Sequence, residues 1–259
     1  MGYFQGIWRL HHFWMALVRN DLRNRYRRSM IGLGWSLLQP ICMTIILCTV
    51  FAGIMHIEVR KFGPFLISGL VTWNFIVSAI TGGCQSFLMG EPYIRQHPAP
   101  LAIYPLRSTL GAGIHFLLGL TVALALTWYM NGFANLPALV GLLPTLLLLF
   151  ILGWMLGICM GVVNVMFQDT QHLVEVALQI LFYLTPIMYE GSLLRERGLG
   201  WVFAVNPMAT FVELIRQPIL DGVIPSLGMY AIAAAITATM ALIATLTLCR
   251  MERRLIFYL

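Results

Sequence analysis

Charge is scarce in this chain. Only 10% of its 259 residues are Asp, Glu, Lys or Arg, and lysine occurs once, at Lys61. With 59% of residues hydrophobic and a mean hydropathy of +0.83, a water-soluble fold of this size would have too little polar surface to cover its interior. Lipid is therefore the solvent for much of the chain. No Gly-x-x-x-x-Gly-Lys-[Ser/Thr] loop is present, so P-loop nucleotide binding is not encoded. Cysteine is sparse too. Cys42, Cys48, Cys84, Cys159 and Cys249 fall in or at the ends of apolar stretches at no metal-ligand spacing, and read as small apolar side chains rather than a disulfide frame. No polar stretch is long enough for a separate soluble domain. Arginines recur through Arg28 with no small-residue cleavage site behind an early apolar core, so no cleavable signal is expected. No internal repeat stands out, which disfavours an inverted-repeat secondary transporter.

The charge that is present is mostly positive, a formal +6, and lies beside apolar runs. Membrane orientation accounts for it more simply than nucleic-acid binding. Residues near 4–28 place Ile7, Leu10, Trp14, Leu17 and Val18 at helical spacing, with Arg9, Arg19, Arg23 and Arg27 elsewhere on the wheel. This predicts an amphipathic helix at the cytoplasmic interface, as against a loosely ordered basic tail. The cluster Arg23, Arg25, Arg27 and Arg28 then fixes that end on the cytoplasmic side.

Six spans of about 20 residues are expected, near 35–56, 64–89, 109–131, 139–166, 172–189 and 228–249. They form one transmembrane domain over 1–259, with a cytoplasmic amphipathic and basic segment at 1–34, the spans within 35–249 and a cytoplasmic tail at 250–259. The cytoplasmic segments then hold eleven basic residues: Arg9, Arg19, Arg23, Arg25, Arg27, Arg28, Arg95, Arg107, Arg250, Arg253 and Arg254. The external ones hold five: Arg60, Lys61, Arg195, Arg197 and Arg216. That imbalance agrees with the positive-inside rule. The segment 190–227, with Trp201–Val205 and Met208–Leu220 largely apolar, is expected to form short helices dipping into the outer leaflet, with a broken seventh span as the alternative.

Candidates for chemistry are few. Residues 90–108 carry four prolines, tyrosines and arginines. They read equally as a stiff force-transmitting loop or as an ordinary connector. Asp169 is placed to cap the helix that follows it. Glu175, early in the fifth span, must pair, face water or stay protonated, and is a candidate to bind a nearby arginine or line the cytoplasmic entrance. His115 suits a hydrogen bond to a neighbouring helix better than a metal, and His11, His12 and His56 have no ligand-like partners. Ser68-Gly69 lacks the wider Gly-x-Ser-Gly pattern because residue 66 is Leu. Among the aromatics Trp35, Phe51, Trp73, Phe75, Trp128, Tyr129, Trp154, Phe182, Tyr183 and Tyr189, most should pack or form interfacial belts. Trp35, Phe51, Trp73, Phe182, Tyr183 and Tyr189 are candidates to line a sugar-conducting path, with Tyr183 and Tyr189 preferred.

Five stretches in order resemble the permease subunit of ABC exporters for O-antigen, capsular polysaccharide or teichoic acid. These are Arg25-Tyr26-Arg27-Arg28-Ser29 through Leu33-Gly34-Trp35-Ser36-Leu37-Leu38-Gln39-Pro40; Ile94-Arg95-Gln96-His97 through Tyr104-Pro105-Leu106; Val163-Asn164-Val165-Met166-Phe167-Gln168-Asp169; Phe182-Tyr183-Leu184-Thr185-Pro186-Ile187-Met188-Tyr189; and Asn206-Pro207 with Arg216 and Gly222. Two departures stand out: Pro98-Ala99-Pro100 where an aromatic-proline-basic run is common, and Met166 and Gln168 where basic residues often flank the Asp. The resemblance implies an all-α protein of the bacterial inner membrane that pairs with a second copy and two P-loop ATPase subunits. ATP and Mg belong to those partners, and this chain binds no cofactor, metal or nucleic acid and does no covalent chemistry. It also tilts residues 90–108 toward coupling, with Glu91, Tyr93, Arg95, His97, Tyr104 and Asp169 as the contacts. The implied cargo is a lipid-linked polysaccharide moving from cytoplasm to periplasm. The rivals are an ABC exporter of a drug or small lipid, and a membrane enzyme acting on a polyprenyl-linked sugar. The enzyme would need clustered carboxylates or histidines at one depth.

Overall fold

The computed structural model describes residues 3–27, 29–55, 57–96, 99–191 and 206–259. Arg28, His56, His97, Arg195, Arg197 and Trp201–Val205 therefore lie outside the described residues. Among those described, every regular element is helical. Two short helices, α1 (Tyr3–Arg9) and α2 (His11–Arg25), occupy the basic segment. Then follow α3 (Trp35–Met55), α4 (Val59–Ile94), α5 (Ile103–Asn131), α6 (Leu142–Met166) and α7 (Thr170–Leu184). The chain closes with α8 (Pro207–Arg216), a π-helical turn at Gln217–Asp221 and α9 (Leu227–Tyr258).

Among the described residues, five stretches are long and apolar enough to cross a membrane: Gly32–Phe51, Val59–Ile94, Ile103–Asn131, Leu136–Met166 and Leu227–Glu252. The remaining expected span, 172–189, falls on α7, whose 15 residues reach about 22 Å at 1.5 Å per residue. That is short of the ~30 Å hydrocarbon layer. The helix ends where it does because Thr185 precedes Pro186, and the proline ring disfavours helical backbone before it. Thr185 is extended, at φ −89° and ψ 135°.

The α4–α5 connection is shorter than the expected 90–108. Helix α4 runs through Ile94 and α5 starts at Ile103, so Glu91, Tyr93, Tyr104 and Arg107 are helical. Proline does not prevent this. Pro105 is the third residue of α5, where a backbone N–H has no intrahelical acceptor and its loss costs nothing.

Helix α4 is the central post, packed against α5 and α6. Gly153, Gly157 and Gly161 recur every four residues on α6 and let its backbone meet α4. A Cβ on Gly161 would lie 2.7 Å from the Gly83 carbonyl oxygen, and one on Gly153 would lie 3.1 Å from the Ala79 Cβ. Small residues at this spacing drive close helix approach in lipid. Around this seam one apolar cluster gathers Phe75, Phe116, Leu149, Leu152, Phe211 and Leu214. A second gathers Phe87, Ile103, Tyr104, Ile158 and Val162 toward the α4–α5 connection.

Candidate functional site

At the α4–α5 connection the helix ends are tied by polar contacts. Glu91 and Arg95 form an i,i+4 ion pair at 2.9 Å, both partly exposed. Tyr93 meets Phe13 of α2 edge to face, with centroids 6.0 Å apart. Tyr104 differs from these coupling candidates in being inside the protein. It is 1% exposed, and its ring fills the space over Gly90. Its hydroxyl has no hydrogen-bond partner among the described residues. Asp169 stands at the N-cap of α7, but its side chain makes no capping bond. The cap comes instead from Asn164, 1% exposed, whose Oδ1 accepts from the Gln171 N–H at 3.1 Å. Asn164 Nδ2 donates to the Cys84 carbonyl at 2.9 Å. This one amide thus joins α6, α7 and α4. The resemblance quoted Asn164 without a role; an Asn at the end of a glycine-rich apolar helix, five residues before Asp169, was the available signal.

Beside this junction a cleft of about 520 Å³ opens between α2, α4, α5 and α7. Asp21 and Arg107 face each other across it in a two-point ion pair. The Arg107 side chain is 14% exposed, so the pair neutralises a largely buried cation. Asp21 is the only acid before Glu58 in the chain, and sequence reasoning passed over it. Gln85 Nε2 donates to Gln171 Oε1, and Gln171 Nε2 donates to Glu175 Oε1 at 2.9 Å. Glu175 lines the cleft. Its other close group is His172, at 3.9 Å, rather than an arginine. On α2, Leu17 and Val18 are buried, while Arg19, Arg23 and Arg25, and Arg27 just beyond it, are exposed. The Tyr26 hydroxyl meets His115 Nε2 at 3.4 Å. No group of three His, Cys, Asp or Glu placed to hold a metal occurs among the described residues.

The aromatic candidates separate by environment. Trp73 is buried, with its ring 5.8 Å from Phe182. Phe182 is 5.3 Å from Tyr183, and Tyr183 is 64% exposed. The three rings form a ladder from the core to the surface. Tyr189 is folded back, its hydroxyl donating to the Tyr183 carbonyl at 3.0 Å. Phe51 packs on Phe62 at 5.7 Å, and Trp35 is exposed at the start of α3.

At the opposite end of α4, Arg216 is 3% exposed. Its Nη1 donates to the Pro186 carbonyl, and its Nη2 donates to Phe65 O at 3.0 Å and Ile187 O at 2.8 Å. The guanidinium carbon lies 3.6 Å from the Phe65 ring centroid, close enough for a cation–π contact. Gly69 makes room for it, since a Cβ there would overlap Nη2. Asn206 caps α8 by accepting from the Met208 N–H at 3.0 Å, and its Nδ2 donates to Thr185 Oγ1 at 2.8 Å. The Asn206-Pro207 and Arg216 signals thus both fasten α8 to the break after α7. Gly222 ends the π turn at φ +63°.

A bundle of long apolar helices, a basic segment packed on it and a proline-broken helix locked to a short one define a multi-pass membrane protein. The ABC-2 type transporter family matches residues 12–220, and the chain belongs to that family. Relatives include the O-antigen export system permease protein RfbA of Klebsiella pneumoniae, 26% identical over 210 residues covering 81% of each chain. RfbA of Myxococcus xanthus is 25% identical over 235 residues, 87% of each chain. The polysialic acid transport protein KpsM of Escherichia coli is 25% identical over 218 residues, 81% of each.

Proposed function

We propose that this chain is the membrane permease subunit of an ATP-driven exporter that moves a lipid-linked polysaccharide out of the cytoplasm. The observation that carries this reading is the family match over residues 12–220, joined to relatives named for O-antigen and polysialic acid export. Two copies of the chain pair in the bacterial inner membrane with two copies of a P-loop ATPase, which hold ATP and Mg. Helix α7 and the segment through Tyr189 together make the fifth of six crossings, which returns both ends of the chain to the cytoplasm. The exposed apolar residues Leu173, Val176, Ile180 and Tyr183 recur at helical spacing on α7 and suit a face turned to lipid or to the second copy. Helices α1 and α2 lie at the cytoplasmic interface, where their exposed arginines meet anionic lipid. The whole of 1–259 is one transmembrane domain.

The ATPase docks at Glu91, Tyr93, Arg95, His97 and Asp169, with Tyr104 supporting that surface from within. ATP-driven closure shifts the channel between open and closed populations only if the ATPase binds the two states with different affinity. Trp35, Phe51, Phe182, Tyr183 and Tyr189 contribute ring faces to the route, and Trp73 backs Phe182 from the core. The test is the ATPase rate of the partner with and without this chain and a lipid-linked glycan. The reading expects the rate to respond to both; a rate indifferent to both contradicts it.

A further inference from the structure

The charged groups lining the cleft beside Arg107 sum to one negative charge. They are Asp21, Arg107 and Glu175, and the first two cancel in their two-point pair. What remains is one carboxylate, held by Gln171 at 2.9 Å and faced at 3.9 Å by the exposed His172. No uncommitted arginine or lysine lines the space among the described residues. The exposed Arg19 and Arg23 border a separate groove on α2. A phosphate or a carboxylated sugar entering the cleft would meet a carboxylate and no cation to offset it.

The neutral groups point the other way. Gln85, Gln171 and Ser108 present amide and hydroxyl groups, while Val77 and Met89 add apolar wall. Hydroxyl-rich, uncharged rings satisfy both kinds of surface. At about 520 Å³ the space falls within the range of small-ligand sites. The Tyr104 hydroxyl is the independent sign that something is meant to be there. Tyr104 is 1% exposed, lines this cleft and has no partner for its O–H among the described residues. Buried hydroxyls are paired in nearly all native proteins, because an unpaired one forfeits its bonds to water. A ring held by packing over Gly90 keeps that hydroxyl in one place.

Resting on the exporter reading, we infer that this cleft binds a short uncharged stretch of the glycan, through Tyr104, Gln85 and Glu175, and so favours neutral over polyanionic polysaccharide. The test uses the full-length chain in detergent and saturation-transfer NMR. The probes are uncharged trisaccharides of mannose, galactose, glucose and N-acetylglucosamine, with trisialic acid as the charged counterpart. At least one uncharged probe should bind more tightly than trisialic acid. Tyr104→Phe and Gln85→Leu should each weaken it about five-fold, the loss of one hydrogen bond. Tyr104→Phe keeps the ring, so it should melt no lower than the native chain. Equal affinity in both variants, no binding of any uncharged probe, or tighter binding of trisialic acid each overturns the proposal. A chain that stimulates its ATPase yet ignores sugars sinks only this inference, whereas one that binds sugars yet never affects an ATPase sinks the exporter reading instead.

Discussion

Two side chains hold more of this molecule than their number suggests. Arg216 satisfies three carbonyls from two other segments, Phe65, Pro186 and Ile187. Replacing it by Met removes a buried donor from the Pro186 and Ile187 carbonyls, at about 1–3 kcal/mol each, while Phe65 O keeps the Ser68 hydroxyl at 3.0 Å. Arg216→Met should therefore lower the melting temperature markedly in detergent, and Arg216→Lys should recover only part of the loss, because one ammonium cannot reproduce the planar fork. Gly69→Ala should act in the same direction by displacing the guanidinium. Unchanged melting in Gly69→Ala would show that the fork has another resting place. Asn164→Ala removes the cap of α7 and the partner of the Cys84 carbonyl together, and should cost about 1–3 kcal/mol by denaturant titration. Both residues stand in the sequence stretches that resemble the exporter family. Their partners lie far away along the chain, up to 151 positions in the case of Arg216 and Phe65, and no local pattern reveals such pairs.

Elements were more legible than contacts, for a physical reason. An apolar run of helix length has few options in lipid, since every backbone group must bond within its own segment. The runs at 35–56, 64–89, 109–131, 139–166 and 228–249 accordingly contain or overlap α3, α4, α5, α6 and α9. The prolines misled at 90–108, where counting them as breakers ignored that Pro105 sits in the permissive first turn of α5. Glycine carried an unread signal as well: the four-residue spacing of Gly153, Gly157 and Gly161 marks the α4–α6 seam. Gly83→Ala places a methyl against the Gly157 backbone, and should destabilise by about 1–3 kcal/mol through overpacking, measured by thermal melting. In the α8 region Asp221 follows the same logic with pH. Burial, and then the nearby Glu190 charge, raise its carboxyl above the 3.8 of an unperturbed aspartate. A raised acid favours the folded state below that ordinary value, and the benefit fades as pH climbs through the raised pKa. Asp221→Asn should therefore melt slightly higher than the native chain at pH 7 and equally near pH 3. A variant that melts lower at pH 7 would assign Asp221 a stabilising bond instead.

At the scale of the whole molecule, composition alone places the chain in lipid, and the order of its motifs points to a transporter family. What composition could not supply is the interior polar geography. Asp21, Arg107, Gln85 and Gln171 come from four helices and meet only when the bundle closes, so their cleft is invisible to any window along the sequence. On the proposed reading, this bundle converts ATP hydrolysis in its partner into movement of a glycan across a bilayer. The most direct measurement reconstitutes the chain with its ATPase partner in vesicles that carry a lipid-linked glycan on the ATPase side, and follows the glycan's appearance on the other face with a lectin. Appearance that requires ATP and both subunits is the predicted result. Glycan that crosses at the same rate without nucleotide, or never crosses with both subunits and ATP present, contradicts the account.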